Sequence, residues 1–229
     1  MEITAILMSR ALAFIETAEL SPRGGLFFPE LIKELVHRFN FQKFPRAIEE
    51  WKSDEGSQFL SGKFDKTVID RLVLYADGIL IDTQAGTTES KRVLEALLDW
   101  TREKFGIVYG PEMVREWAYV NNLTFHSDVP LLITGPMERL AKAITADVTK
   151  STGRELIYEP IGLNIGHDVS LRKHGKATFN IQRRLGVPFA SNKYYSESPL
   201  QTDTHIALLE QYEKDVAEML NPRLLAERS

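Results

Sequence analysis

The clearest alternation of apolar and polar positions lies between Thr67 and Gly106. Val68, Leu72 and Leu74 fall on one side, and Ile69, Val73 and Tyr75 on the other, with the two-residue period of a strand. Asp77-Gly78 follows, a dipeptide suited to the two positive φ angles of a tight hairpin turn, and Ile79-Leu80-Ile81 runs back. Thr87 or Thr88 then caps a helix, with Glu89 in the first turn, where a carboxylate suits the helix dipole. Leu94, Leu97, Leu98 and Phe105 form one stripe of that helix, opposite Lys91, Glu95, Asp99 and Arg102. A hairpin followed by an amphipathic helix builds core, and the rest of the chain is read around it.

Upstream, residues 2–20 fit two readings. Ile3, Ile6, Leu7, Ala11 and Phe14 suit a helix, while 6–15 serves equally as a long strand. Ser21 to Gly25 breaks that element. Pro29 opens a helix whose apolar face is Leu31, Ile32, Leu35, Val36 and Phe39. A short helix around Ile48–Trp51 and a strand at Phe59–Phe64 lead to the central hairpin.

Past Gly110-Pro111 the order starts again. A strand spans Trp117–Phe125, and a helix begins at Gly135-Pro136 with Leu140, Ala143, Ile144 and Val148 facing inward. Strands follow over 155–165 and 177–185, the second with Ala177, Phe179 and Ile181 opposite Thr178, Asn180 and Gln182, as a strand with one wet face requires. Thr202 or Thr204 caps a last helix carrying Leu208, Leu209, Tyr212 and Val216. The expected fold is α+β, an antiparallel sheet with packed helices, in two topologically similar halves, 1–112 and 113–229, packed as one compact unit. Thr88-Glu89-Ser90 and Thr202-Asp203-Thr204, 114 residues apart, head matching helices in that scheme. A threonine followed by an acid is also a common cap, which needs no duplication.

Composition narrows the class. With 229 residues, 43% of them hydrophobic, the chain can bury a sizeable core. A net charge of −4 gives no global pull toward nucleic acid. The absence of cysteine excludes disulfides and thiolate catalysis. The opening residues lack a basic start and cleavage site, and no apolar run approaches the ~20 residues of a membrane span, so a cytoplasmic protein with no membrane partner is expected.

Catalytic motifs are missing. Gly175-Lys176 would need Gly at 170 and Ser or Thr at 177 to make a phosphate loop, where the chain has Ser170 and Ala177. His167-Asp168 and His174 offer ligand types for a metal but fall in an expected polar loop. His126-Ser127-Asp128 holds the residue types of a hydrolytic triad, yet three consecutive residues cannot flank one imidazole from both sides. Asp203-Thr204-His205 reads as helix-cap chemistry. Among the acids, Asp77 belongs to the turn, Asp82 ends a strand and Asp70 takes the wet face, so no carboxylate pair is set for acid–base work. The expectation is no catalytic residue, no metal and no cofactor.

The departure from this plain picture is a charge block. From Val169 to Ser196 there is no acid, while Arg172, Lys173, Lys176, Arg183, Arg184 and Lys193 accumulate beside Phe179, Phe189, Tyr194 and Tyr195. These cations either pair with Glu210, Glu213, Asp215 and Glu218 of the last helix, dock an acidic protein, or meet phosphates while aromatics stack on bases. Arg172, Lys173, Lys176, Arg183, Arg184, Lys193 and Tyr194 are therefore the candidate partner- or nucleic-acid-binding residues. Phe27 and Phe28, beside Gly24-Gly25, either staple the helix that follows or form a patch for a partner. The sequence points to a non-catalytic interaction or assembly subunit of a cytoplasmic complex or homo-oligomer. Two alternatives stay open: a nucleic-acid-binding module using the hairpin 172–193, and an enzyme whose site converges from distant segments.

Overall fold

The computed structural model describes residues 1–21, 25, 27–46, 56–132, 135–168 and 177–221. Twelve elements follow in order: β1 (Glu2–Phe14), α1 (Phe28–Phe39), β2 (Ser57–Phe64), β3 (Thr67–Leu74), β4 (Gly78–Thr83), α2 (Thr87–Phe105), β5 (Glu116–His126), α3 (Gly135–Thr152), β6 (Gly162–Ile165), β7 (Phe179–Arg183), β8 (Lys193–Ser198) and α4 (Thr202–Leu220). The strands make one eight-stranded antiparallel sheet in the order β2-β3-β4-β1-β5-β8-β7-β6. The expected α+β class holds, and the order strand, helix, three strands, helix occurs twice. Two compact units partition the chain: Ile6–Asn122 with Ser198–His205, and Met1–Ala5 with Leu123–Glu197 and Ile206–Ser229.

In the first of these units the ambiguity of residues 2–20 resolves to a strand. Ser9, Ala11 and Ala13 are buried while Arg10, Leu12 and Phe14 are half-buried, a period of two. On β3 the simple alternation fails. A register shift between Ile69 and Arg71 turns Ile69 to the same side as Leu72 and Leu74, in the core, and leaves Val68 exposed. The Asp77-Gly78 turn also differs from expectation, because neither residue has positive φ. Gly78 is needed for close approach instead: a Cβ there would stand 3.0 Å from the Ala13 carbonyl oxygen.

Leu31, Ile32, Leu35 and Phe39 bury the inner face of α1, which ends at Asn40 in the left-handed conformation. Phe39 meets Phe64 at 5.4 Å and Trp100 at 5.8 Å between ring centres, and Arg38 covers all three rings. Val93, Leu94, Leu97 and Leu98 pack α2 into the same core. Each such aliphatic side chain contributes about 1.5–3 kcal/mol through burial. The expected helix at 48–51 lies outside the described residues.

The second unit closes around Leu123, Phe125, Ile181, Tyr194, Leu209 and Val216. The Tyr194 hydroxyl accepts the Leu131 N–H at 3.0 Å, and the Tyr212 hydroxyl donates to the Leu131 carbonyl at 2.9 Å. Ser127 donates to Glu213 at 2.6 Å, tying the end of β5 to α4. Within 155–165 only Gly162–Ile165 is strand, while β8 forms from a stretch with no apolar alternation, because its buried positions after Tyr194 are Ser196 and Ser198.

α3 runs over the expected residues but turns the other way. None of its residues is buried, Leu140 is 62% and Ile144 39% exposed, and Ala143 also faces out. Its half-buried side carries Glu138, Ala141, Thr145, Thr149 and, of the expected inward residues, Val148, with residues 155–160 beside it, while Lys142 is exposed. There the Tyr158 N–H donates to Thr145 Oγ1 at 2.9 Å, so polar bonding rather than apolar burial sets the helix's rotation.

Candidate interaction surface

The sequence periodicity that builds α3 gives it two faces about 140° apart at 3.6 residues per turn. Met137, Leu140 and Ile144 recur at i, i+3, i+7, one apolar stripe; Glu138, Lys142, Thr145 and Thr149 form a polar one. With the polar face seated, a groove of about 500 Å³ remains between α3 and residues 155–160, lined by carboxylates, Lys142, two threonines and Tyr158. Lys142 donates to Glu138 at 2.6 Å across one turn of the helix. The apolar stripe stays in solvent. On β6, Ile161, just before the strand, is 67% exposed and Ile165 57%, while Leu163 between them packs on the second unit's core, and Ile157 is exposed in the preceding segment. The helix stripe and these isoleucines leave apolar surface of the same character in solvent.

The basic hairpin is reorganised by burial. Arg172, Lys173 and Lys176 lie outside the described residues. Arg183 and Tyr194 take inward positions on β7 and β8. The Arg183 guanidinium, only 4% exposed, donates to Glu159 at 2.8 Å, the Pro160 carbonyl at 3.1 Å and the Phe189 carbonyl at 2.8 Å, and lies over the Phe189 ring. Its acidic partner is Glu159, not an acid of α4. Tyr194 stacks on Phe125 at 5.5 Å within the core, and burial pushes its phenol up. Neither side chain presents a face to a partner. Arg184 and Lys193 are exposed, and the Arg184 N–H donates to the Lys193 carbonyl, which sets the two residues side by side. Strand parity decides this division, and a count of charges along the chain cannot see it.

The other suggestive groups are placed as follows. Asp82, expected only to end a strand, is buried in β4 and held by Arg10 at 2.7 Å and Arg71 at 2.9 Å, since the register puts all three side by side on β1, β4 and β3. Asp70 accepts from Gln84 at 3.1 Å. His205 is fully buried at the start of α4 rather than capping it. Its Nδ1–H donates to Asn121 Oδ1 at 2.6 Å, a tautomer fixed because the Asn121 amide donates to the Leu200 carbonyl at 2.7 Å. Burial pulls the imidazole down to about 4. His167 and Asp168 are exposed, and His174 lies outside the described residues. Among the described residues no cluster of three or more His, Asp or Glu side chains is arranged to hold a metal ion, and no helix is long and apolar enough to cross a membrane. Phe27 and Phe28 stay largely exposed, so they do not serve as a buried staple.

No protein-family model matches the chain, and no curated protein matches it. Among solved structures it is similar to Methanococcus jannaschii TBP, at 13% sequence identity and a TM-score of 0.41, over 94% of this chain and 99% of that one. At that score the likeness supports no argument about what this chain does.

Proposed function

We propose that this chain is a non-catalytic interaction or assembly subunit, working through the apolar surface of α3 and the adjoining residues 156–165. The observation that carries this reading is the burial record of α3: a helix with a well-formed apolar stripe that buries no residue at all. An apolar stripe left partly in water forgoes a share of the about 1.5–3 kcal/mol that full burial of each aliphatic side chain gives, and association recovers that share. Native purification with light scattering tests it. The wild-type chain should elute as an assembly, and Leu140→Glu with Ile144→Glu should elute alone with unchanged circular dichroism. A wild-type chain that runs as a lone monomer with no companion overturns the reading.

A second reading rests on Arg184 and Lys193, the exposed cations paired across β7 and β8. A nucleic-acid strand along this hairpin would lose affinity steeply with salt. Arg184→Glu with Lys193→Glu should then weaken binding of a mixed-sequence oligonucleotide at low salt. Binding that ignores both changes removes this alternative.

A further inference from the structure

The two edge strands of the sheet, β2 and β6, are finished differently. An edge strand has one row of main-chain groups with no neighbouring strand to bond. On β2 the chain itself covers that row. The Leu60 N–H donates to the Lys43 carbonyl at 2.8 Å, and the Gln42 N–H donates to the Leu60 carbonyl at 3.1 Å. Ser61 beside it takes a φ of 57°, which interrupts the extended run, and Lys63 adds a charge. β6 has none of these guards. Its residues Gly162, Leu163, Asn164 and Ile165 carry no charge and no positive φ, and among the described residues no group bonds to its outer edge.

Register says which groups that edge presents. The Arg183 N–H donates to the Ile161 carbonyl at 2.9 Å, so Ile161, Leu163 and Ile165 turn their main chain toward β7. Gly162 and Asn164 fall at the alternate pairs, opposite Gln182 and Asn180, and point their N–H and carbonyl groups away from the sheet. Side chains alternate with the same period. Leu163 packs on the second unit's core, while Ile161 and Ile165 on either side of it are 67% and 57% exposed. Two donor–acceptor pairs thus stand on an open edge, next to two largely uncovered isoleucines on one face.

We infer that this edge receives an extended segment of another protein as a ninth, antiparallel strand. An extended main chain presents donors and acceptors at the spacing of Gly162 and Asn164, about 7 Å apart. The β2 edge shows the kind of cover that suits this fold: a short extended segment, Gln42-Lys43, rather than the strand of a second sheet. The incoming residues opposite Gly162 and Asn164 must carry N–H groups, which excludes proline there. Those opposite Ile161, Leu163 and Ile165 share the apolar face and are aliphatic. The occupant is therefore a run of about five residues, alternately apolar and uncharged polar. This rests on the surface reading above, whose residues 156–165 include β6, and names the class of partner.

The probe is the fluorescently labelled, end-blocked peptide acetyl-Val-Thr-Val-Thr-Val-amide, titrated by anisotropy. Methylating both threonine nitrogens removes the donors that would face Gly162 and Asn164, and should abolish binding. Methylating the second and third valine nitrogens, which face away, should leave it. In the protein, Asn164→Pro deletes an edge N–H that lies outside the β6–β7 ladder and sets a ring against the incoming strand. It should weaken binding at least about tenfold, while Asn164→Ala, which keeps the main chain, should stay within about twofold. Thermal melts matching the wild type show that both variants fold, and the methylated peptides need no variant. Amide exchange locates the contact: Gly162 and Asn164 should exchange fast in the free chain and slowly with peptide, with Leu163 and Ile165 slow throughout. Slow exchange at Gly162 and Asn164 without peptide means that this chain or a second copy already fills the edge, and overturns the inference. So does binding that both methylated peptides retain, or a parent peptide still unbound at about 1 mM. If Asn164→Pro leaves intact a native assembly that Leu140→Glu with Ile144→Glu dissolves, the edge is wrong while the surface reading stands. If neither variant changes the assembly, both fall.

Discussion

Thr87 and Thr202 cap each other's helices. The Thr87 N–H donates to Thr202 Oγ1 at 3.0 Å, and the Thr202 N–H donates to Thr87 Oγ1 at 2.9 Å, with the two hydroxyl oxygens 3.3 Å apart. Each threonine is the first residue of its helix, α2 or α4, where backbone N–H groups have no partner within the helix and the dipole end is positive. Bringing two such ends together is unfavourable unless acceptors stand between them, and the exchanged hydroxyls supply those. Both residues are buried, so water cannot substitute.

Replacing either by valine keeps the volume and removes one acceptor. Thr87→Val and Thr202→Val should each cost about 1–2 kcal/mol in urea unfolding. The double variant should fall short of the sum by roughly 0.5 kcal/mol or more, since the remaining hydroxyl has lost its neighbour in both singles. Strict additivity would mean that the two caps act independently.

The second prediction concerns His205 and acid. Its folded-state imidazole is held down to about 4, below the ordinary 6.5, by burial. An imidazole with a lowered folded value binds fewer protons folded than unfolded. Its contribution to stability is therefore fully present above pH 6.5 and drains away as pH falls toward 4. Urea midpoints of the wild type should drop across that window. In His205→Gln, which keeps a donor for Asn121, the profile should flatten between those limits; an unchanged slope would assign the loss to other groups.

How much of this was open to the sequence depends on which property each residue expresses. The faces of α1 and α2 were legible because Leu31, Leu35, Leu94 and Leu98 repeat at the helical period and lie where that period puts them. Ile69 was not, because the register shift beside it adds a residue that no alternation reveals. β8 was missed because its buried positions are serines, held by bonding such as Ser196 to the Asn180 carbonyl at 2.5 Å rather than by apolar contact. The likeness of the two helix starts was visible, but one residue out of register: Thr87, not Thr88, answers Thr202. α3 marks the firmest limit. Periodicity tells which side of a helix is apolar, and it is silent on whether anything covers that side.

Glu89 supplies a third prediction, at lower pH. Hydrogen bonding from Arg92 pulls its carboxyl down to about 2 against the opposing effect of burial, with the Thr67 hydroxyl assisting. A lowered carboxyl stabilises the fold above the ordinary 4.5, and that contribution is lost as pH falls through 2. Glu89→Gln should be less stable than the wild type at neutral pH and indistinguishable from it near pH 2. A gap between the two that stays constant down to pH 2 would locate the effect in packing rather than charge.

The last prediction separates two arginines that adjoin in sequence. Arg183 directs its guanidinium at Glu159, the Pro160 carbonyl and the Phe189 carbonyl with almost no exposure, whereas Arg184 projects into solvent. Removing the guanidinium strips a donor from the Pro160 and Phe189 carbonyls, while Glu159, 40% exposed, turns to solvent, so Arg183→Met should lose about 1–3 kcal/mol. Arg183→Lys should recover little of this, because one ammonium on a flexible stem cannot reproduce a planar fork aimed at three acceptors. Arg184→Met, by contrast, should shift the urea midpoint by no more than ~0.5 kcal/mol equivalent. The same contrast bears on the basic hairpin. If nucleic acid binds there, Arg184→Met should reduce the salt slope of binding by about one, as the loss of a single phosphate contact does. Arg183→Lys, assayed where it remains folded, should leave that slope alone. Equal effects on binding from the two positions would mean that Arg183 reaches the surface, and the clamp described here would have to be abandoned.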